Sequence, residues 1–320
     1  METVSRHVRR PTLTDLDRAR VVVRDHLPPT PVSLPAVPDD AGIALKLETL
    51  QPTGAFKVRG AFAALAAIEP GREVVTASAG NHGLGVAFAA ARLGRKATVV
   101  TAKNASPAKV GAICRFGIEL VQVGDSYDAA EEHALELASQ GAYYLSPYND
   151  PDVIAGQGTV GPELAEQIGG PLTVVCGVGG GGLASGLGLW ASTCDDVQVV
   201  GVEVEVSTAV SAAVAAGGQV PVEVGDTLAD GMAGNIEPGS VTVDMVARYV
   251  DRLVTVSEAE IRAALRWLAF HRGVVAEGAG AAPVAAALAG KVSDHGQVVA
   301  VVTGRNIAAP VLAEVLAGTD

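Results

Sequence analysis

The segment that decides the fold class of this chain is Pro52-Thr53-Gly54-Ala55-Phe56-Lys57-Val58-Arg59-Gly60, in which one lysine follows a turn and opens a helix. Proline, threonine and glycine before the lysine indicate the turn. A lysine between Phe56 and Val58 at such a turn is partly desolvated, which lowers the pKa of its amine and makes it usable as a nucleophile or base. Taken alone, the segment also fits a surface lysine at the start of an apolar helix.

Around this segment, short apolar runs alternate with longer stretches of helical period. The pattern predicts strands at 44–47, 73–76, 97–101, 120–123, 173–176, 197–202 and 298–302, and helices at 83–93, 107–116, 127–139, 182–191 and 258–271. Ser257 and Glu260 form a capping signal before the last helix. Such alternation is typical of parallel sheets covered by helices. We predict an α/β protein of two lobes, each an open, mainly parallel twisted sheet covered by helices.

The composition excludes several kinds of partner. The chain has 320 residues, 49% of them hydrophobic and 18% charged, which is enough to bury a large core. Its net charge of −12 disfavours binding to nucleic acid, because phosphate contacts need clustered Lys and Arg. No signal peptide and no apolar stretch of about 20 residues is found, so we expect a cytoplasmic protein without a membrane partner.

Three unusual loops follow predicted strands. Residues 78–82 follow the strand at 73–76, residues 177–182 follow the strand at 173–176, and residues 303–306 follow the strand at 298–302. Ligands of such sheets bind beyond the carboxyl ends of the strands. We therefore expect the three loops to converge on one site.

The second loop contains four successive glycines, Gly179, Gly180, Gly181 and Gly182, before a helix that begins with Leu183. Bare N–H groups at the positive end of a helix can surround a phosphate. A tight turn that needs small residues for packing is the simpler alternative. A third reading is a nicotinamide site, because residues 177–182 also fit G-x-G-x-x-G and Glu203 ends the next strand.

In series, the lysine segment, the Ser-Ala-Gly-Asn-His loop, the glycine loop and the Thr-Gly-Arg-Asn ending resemble the fold-type II pyridoxal-phosphate family. The resemblance is greatest to its threonine/serine dehydratase and serine racemase branch, and it extends from about Thr30 to Leu316. It implies pyridoxal 5'-phosphate as the cofactor and Lys57 as its Schiff-base lysine. By the same resemblance Asn81 faces the phenolic oxygen of the cofactor, and Thr303 faces its ring nitrogen.

The resemblance assigns a complete set of site residues. The implied cofactor-binding residues are Phe56, Lys57, Asn81, Gly179, Gly180, Gly181, Gly182, Leu183, Glu277 and Thr303. The implied substrate-binding residues are Ser78, Ala79, Gly80, Asn81 and His82. Of the last set, His82 is expected to have a structural duty in positioning its loop.

The implied activity is elimination of water from a small β-hydroxy amino acid of the L-threonine or L-serine type, giving a 2-keto acid and ammonia. Racemases of this branch carry a serine where this chain has Ala79, so sustained racemisation is disfavoured. The alternatives are an amino-acid racemase or another lyase on the same fold, a nicotinamide-dependent oxidoreductase, and a non-catalytic binding protein. The side chain of the substrate stays open.

Further expectations concern a cation, the lobes and assembly. A monovalent or divalent cation is considered at Glu203, although Ala209 stands where relatives place an aspartate. Arg59 is expected to form a structural ion pair. The resemblance places a small substrate-closing domain at 73–146 and a large cofactor-binding domain at 1–72 and 147–320. A homodimer or homotetramer is expected.

Overall fold

The computed structural model describes residues 8–37, 41–292 and 295–318, which form two helix-covered sheets. The six-stranded sheet has the order β1-β2-β10-β7-β8-β9, and the four-stranded sheet has the order β5-β4-β3-β6. Except for the antiparallel pair β1 and β2, all neighbouring strands are parallel. The predicted fold class is therefore confirmed. The strands are β1 (Val32–Ser33), β2 (Ala44–Leu47), β3 (Val74–Ala77), β4 (Ala97–Thr101), β5 (Glu119–Gln122), β6 (Tyr143–Tyr144), β7 (Leu172–Gly177), β8 (Val197–Val204), β9 (Arg252–Val256) and β10 (Gln297–Val302).

Helices connect and cover these strands. They are α1 (Leu13–His26), α2 (Lys57–Ala67), α3 (Asn81–Leu93), α4 (Pro107–Cys114), α5 (Tyr127–Ser139), α6 (Pro151–Gly158), α7 (Val160–Gln167), α8 (Gly182–Ala191), α9 (Ala209–Ala216), α10 (Val241–Tyr249), α11 (Glu258–Arg272), α12 (Gly278–Leu288) and α13 (Ala309–Ala317). Within the described residues, none of the helices has both the length and the apolar content needed to cross a membrane.

The sequence pattern located most of the sheet framework. Each of the seven predicted strands is present, with its ends displaced by two residues or fewer. The capping signal at Ser257 is confirmed, because its hydroxyl accepts from the Glu260 N–H and the Glu260 carboxylate accepts from the Ser257 N–H. Helix α3 begins two residues earlier than predicted, so Asn81 and His82 lie in its first turn.

The six-stranded sheet is buried on both faces, as parallel sheets usually are. Along β10, Val299 and Val301 pack into one hydrophobic cluster, whereas Ala300 and Val302 pack into the cluster on the other face. All four side chains are fully buried. This rigid strand ends directly before Thr303, so the core fixes where the third loop begins.

Helix α6 lies between α2 and α8 and touches both through glycines. A Cβ atom on Gly156 would stand 2.6 Å from the Cα of Gly60 in α2, and one on Gly158 would stand 2.7 Å from the carbonyl oxygen of Gly186 in α8. Such distances are too short for real Cβ contacts, so side chains at these positions would push the helices apart. The three helix backbones are therefore in direct contact.

A cluster of buried charges anchors α2. The Arg59 guanidinium donates to both carboxylate oxygens of Glu48 and of Glu163, over distances of 2.7 to 2.8 Å. Lys46 donates to Glu163 over 2.7 Å from the other side. The side chains of Lys46, Glu48 and Arg59 are fully buried, so each charge depends on these partners. The structural ion pair expected at Arg59 is confirmed.

Candidate active site

The three loops converge on one cleft of about 1080 Å³, lined by residues from both sheets. The walls contain every residue assigned to the cofactor and substrate sites: Phe56, Lys57, Ser78, Ala79, Gly80, Asn81, His82, Gly179, Gly180, Gly181, Gly182, Leu183, Glu277 and Thr303. The sequence-based prediction of convergence is confirmed by this geometry.

Lys57 is the first residue of α2, and its amine lies inside the cleft. Its Nζ donates to the carbonyl oxygen of Pro147 over 2.8 Å and lies 5.3 Å from the centre of the Phe56 ring. Burial lowers the pKa of this amine to about 8, against an opposing contribution from the charge of Glu277. At pH 7 about a tenth of the amine is therefore neutral and nucleophilic, far more than for an ordinary lysine.

The glycine loop presents free N–H groups at the start of α8. Gly181 has a φ of 83°, a conformation that favours glycine, and a Cβ on Gly180 would stand 2.3 Å from the Tyr148 ring. In the described part of the chain, no acceptor is found for the backbone N–H groups of residues 180–183. Their number, their spacing and the positive end of α8 fit a phosphate group.

Asn81 is held in one orientation by residues of two other segments. Its Nδ2 donates to Glu277 Oε1 over 2.6 Å, and its Oδ1 accepts from Asn306 Nδ2 over 2.6 Å. Asn306 Nδ2 also donates to the carbonyl oxygen of Thr53, over 2.9 Å. The second N–H of the Asn81 amide is left for a ligand in the cleft. Asn306 was not predicted as a site residue, although it ends the third loop.

Glu277 precedes α12 and lies almost fully buried beside this amide. Burial raises its pKa to about 7, and the charge of Asp230 adds to this effect. Hydrogen bonds from Asn81 and from the backbone of Asn306 act in the opposite direction. Its proton occupancy therefore changes near neutral pH.

The loop before α3 combines free N–H groups with a neutral histidine. No acceptor is found, within the residues that the structure describes, for the backbone N–H groups of Ala79, Asn81 and His82. The His82 ring is buried, and its Nε2 donates to the carbonyl oxygen of Leu145 over 3.2 Å. Burial, together with the charge of Lys57, lowers the pKa of His82 to about 3, so the ring is neutral. This contact agrees with the structural duty expected of His82.

Thr303 directly follows β10 and is 5% exposed on the wall of the cleft. Its carbonyl oxygen accepts from the Phe56 N–H over 2.9 Å, which joins the third loop to the segment before Lys57. The backbone of Thr303 is thereby fixed next to the segment that carries the lysine.

Glu203 lies away from this cleft and caps α9. Its carboxylate accepts from the backbone N–H groups of Val210 and Ser211 and from the Ser211 hydroxyl. The described residues contain no group of three His, Cys, Asp or Glu side chains that could hold a metal ion. The geometry therefore lends no support to a cation site at Glu203. The reading of Glu203 as a ribose-binding carboxylate is also unsupported, because the residue is absent from the walls of the cleft.

Further residues line the cleft without having been predicted, among them Tyr127, Glu131, Tyr148 and Glu237. Tyr127 and Glu131 come from α5, whereas Tyr148 and Glu237 come from segments beside the six-stranded sheet. They come from three separate segments and carry no motif, so no sequence signal could have grouped them.

These features define an enzyme class in which a lysine amine and a phosphate cradle share one cleft between two α/β lobes. Residues 23–304 match the family model described as pyridoxal-phosphate dependent enzyme. The chain belongs to this family, and its architecture is that of the fold-type II pyridoxal-phosphate enzymes. The free N–H groups of the glycine loop and the Lys57 amine fit the phosphate and the aldehyde of that cofactor.

Known relatives cover most of the chain. It is 40% identical to the L-threonine ammonia-lyase of Thermotoga maritima over 305 residues, which is 92% of this chain and 76% of that protein. It is 38% identical to the catabolic L-threonine dehydratase of Escherichia coli K12 over 273 residues, which is 83% of each chain. The solved T.th. threonine deaminase superposes with a TM-score of 0.85 at 35% identity, covering 93% of this chain and 99% of that one. Maize serine racemase superposes with a TM-score of 0.88 at 27% identity, covering 97% and 98%.

Proposed function

We propose that this chain is a pyridoxal-phosphate-dependent ammonia-lyase for L-threonine or L-serine. It eliminates water from a small β-hydroxy amino acid, and the products are a 2-keto acid and ammonia. The observation that carries the proposal is the meeting of the Lys57 amine, the glycine loop and the Asn81 amide in one cleft. The L-threonine ammonia-lyase of Thermotoga maritima, at 40% identity, supports the choice of substrate.

The bound cofactor supplies an electron sink for the pair left behind when the Cα proton departs. Lys57 would hold the cofactor through its amine, and the same amine would accept the Cα proton of the substrate. An amine with a pKa of about 8 suits both duties near neutral pH, because it exchanges its proton readily. The N–H groups of residues 180–183 hold the phosphate.

Two small side chains favour elimination over racemisation. Thr303 lines the cleft and would offer a hydroxyl to the ring nitrogen of the cofactor; a hydroxyl, unlike a carboxylate, would not hold that nitrogen protonated, so the cofactor would be a weaker electron sink. Ala79 has no hydroxyl to return a proton to the opposite face of Cα.

The loop at 78–82 completes the site from the four-stranded lobe. Its free N–H groups at Ala79, Asn81 and His82 are suited to bind the substrate carboxylate. Lys57 and the glycine loop belong to the other side of the cleft. We therefore propose that residues 73–146 act as a closing domain that excludes water from the reactive product.

The test is Lys57→Ala, with Lys103→Ala as a control because Lys103 is exposed and outside the cleft. The control should deaminate L-threonine like the unmodified enzyme. Lys57→Ala should abolish deamination and the borohydride-sensitive yellow absorbance, while the circular dichroism spectrum stays unchanged. Near-normal deamination by the purified Lys57→Ala variant would contradict the proposed role of the amine.

A further inference from the structure

Four residues that line the cleft form what we call its outer wall: Tyr127, Glu131, Tyr148 and Glu237. Glu131 Oε1 accepts from the Tyr127 hydroxyl over 3.2 Å and from the buried Tyr144 hydroxyl over 2.6 Å. The Tyr148 hydroxyl accepts from the Glu237 N–H over 2.7 Å. In this wall the Glu131 carboxylate binds two phenol groups, whereas Glu237 binds the Tyr148 hydroxyl through its backbone.

The outer wall stands next to the reactive amine. The Ser146 hydroxyl donates to Glu237 Oε1 over 3.4 Å, and Tyr148 contacts the backbone of the same glutamate. Between these two residues lies Pro147, whose carbonyl oxygen accepts from Lys57 Nζ over 2.8 Å. The reactive amine and Glu237 therefore contact the same short segment, Ser146 to Tyr148.

Carboxylates dominate the charges of the cleft. Among the described residues that line it, the charged side chains are Lys57, Lys109, Asp128, Glu131, Asp230, Glu237 and Glu277, and none is an arginine. Lys57 is the reactive amine of the proposed function. The Lys109 amine forms an ion pair with the Asp230 carboxylate over 3.1 Å. Among the described lining residues, five carboxylates thus face two lysines, one of which is the reactive amine.

The carboxylates near the cleft also change the pKa of two tyrosine hydroxyl groups. Burial is the largest cause that raises the pKa of Tyr127 and of Tyr144, and the charge of Glu131 raises both further. Glu237 also raises the pKa of Tyr144. An anion placed beside the Tyr127 hydroxyl in the cleft meets the same repulsion from Glu131 as a phenolate would, whereas a neutral polar group does not.

We propose that the outer wall selects substrates by charge, accepting amino acids with a neutral side chain and rejecting those with a side-chain carboxylate. Glu131 and Glu237 are the specificity-determining residues. The inference rests on the proposed function for its reaction, and it narrows the substrate class. Serine, threonine and larger neutral β-hydroxy amino acids are substrates, and 3-hydroxyaspartate is not.

The experiment compares L-asparagine with L-aspartate, which are nearly isosteric and differ in side-chain charge. Each is titrated into the cofactor-loaded protein, and binding is followed by the absorbance change of the cofactor, which does not require turnover. L-asparagine should bind about tenfold more tightly or better, a modest effect for like charges in a partly desolvated cleft. Glu131→Gln and Glu237→Gln should each reduce this ratio by about threefold, and the double variant should reduce it further.

Glu132→Gln is the matched control, because Glu132 is the next residue of α5, is exposed and does not line the cleft. It removes the same charge and should leave the binding ratio unchanged. Equal affinity for the two ligands, no measurable binding of either, or an equal response to Glu132→Gln and Glu131→Gln would each overturn charge selection.

Deamination of L-threonine and L-serine by the same preparations separates the two ideas. If neither is deaminated while L-asparagine still binds more tightly than L-aspartate, the proposed function fails and charge selection stands. If both are deaminated and L-aspartate binds as well as L-asparagine, the proposed function stands and charge selection fails.

Discussion

Replacing Arg59 by methionine should cost about 3–5 kcal/mol of unfolding free energy, the usual result of breaking a buried ion pair from one side. The Arg59 guanidinium is fully buried and donates five hydrogen bonds, two to Glu48, two to Glu163 and one to Thr159. Methionine has a similar length and no charge, so the volume is largely conserved. Two buried carboxylates would then share Lys46 as their cation.

Urea unfolding followed by circular dichroism measures this loss, with Arg115→Met as the control. Arg115 is exposed, so its replacement should change the unfolding free energy by less than about 0.5 kcal/mol. A loss below about 1 kcal/mol for Arg59→Met would refute the reasoning, because it would mean that Glu48 and Glu163 tolerate burial without the guanidinium. Since Arg59 lies two residues after Lys57 on α2, the variant should also bind the cofactor more weakly.

Three further outcomes are expected. Ala79→Ser should raise racemisation relative to elimination, measured as solvent-deuterium exchange with inversion at Cα; rapid exchange in the unmodified enzyme would speak against this role. Thr303→Asp should place an anion at the cofactor ring nitrogen and give a new long-wavelength absorbance band on adding substrate, and unchanged spectra with normal cofactor binding would contradict the assignment. In the cofactor-free protein, the pKa of Glu277 is about 7 in the folded state, against an ordinary 4.5 in the unfolded chain. As the pH rises, the unfolded chain therefore releases this proton before the folded protein does. The unfolding free energy should then fall between about pH 4.5 and pH 7. Glu277→Gln should remove that fall, and parallel pH profiles for the two proteins would exclude it.

Local signals in the sequence were sufficient for the sheet framework. Long apolar strands such as β8 and β10 stand out by their continuous hydrophobic runs. The two-residue strands β1 and β6 are too short to carry such a run, and the pairing of β6 with β3 joins segments far apart in the chain. Strand β9 is only partly buried, apart from Val256, and was also missed.

The predicted part of the site consists of loops that directly follow strands, where topology brings residues together without further information. Asn306 and Glu237 depend instead on contacts between segments more than 80 residues apart, such as the bond from Asn306 to Asn81. Arg59 could be classified because its position two residues beyond Lys57 turns it away from the amine. Its partners Glu48 and Glu163 needed the structure.

The glycine contacts of α6 have a consequence for ligand size. Helix α2 begins with the amine that takes the aldehyde, and α8 begins beside the N–H groups that fit the phosphate. Because α6 lies between α2 and α8, its close contacts at Gly156 and Gly158 set the distance between those two helix ends. An alanine at either position would increase this distance, because its methyl group would push one helix outward. Gly156 and Gly158, which do not line the cleft, would thus affect discrimination between phosphorylated aldehydes of different length.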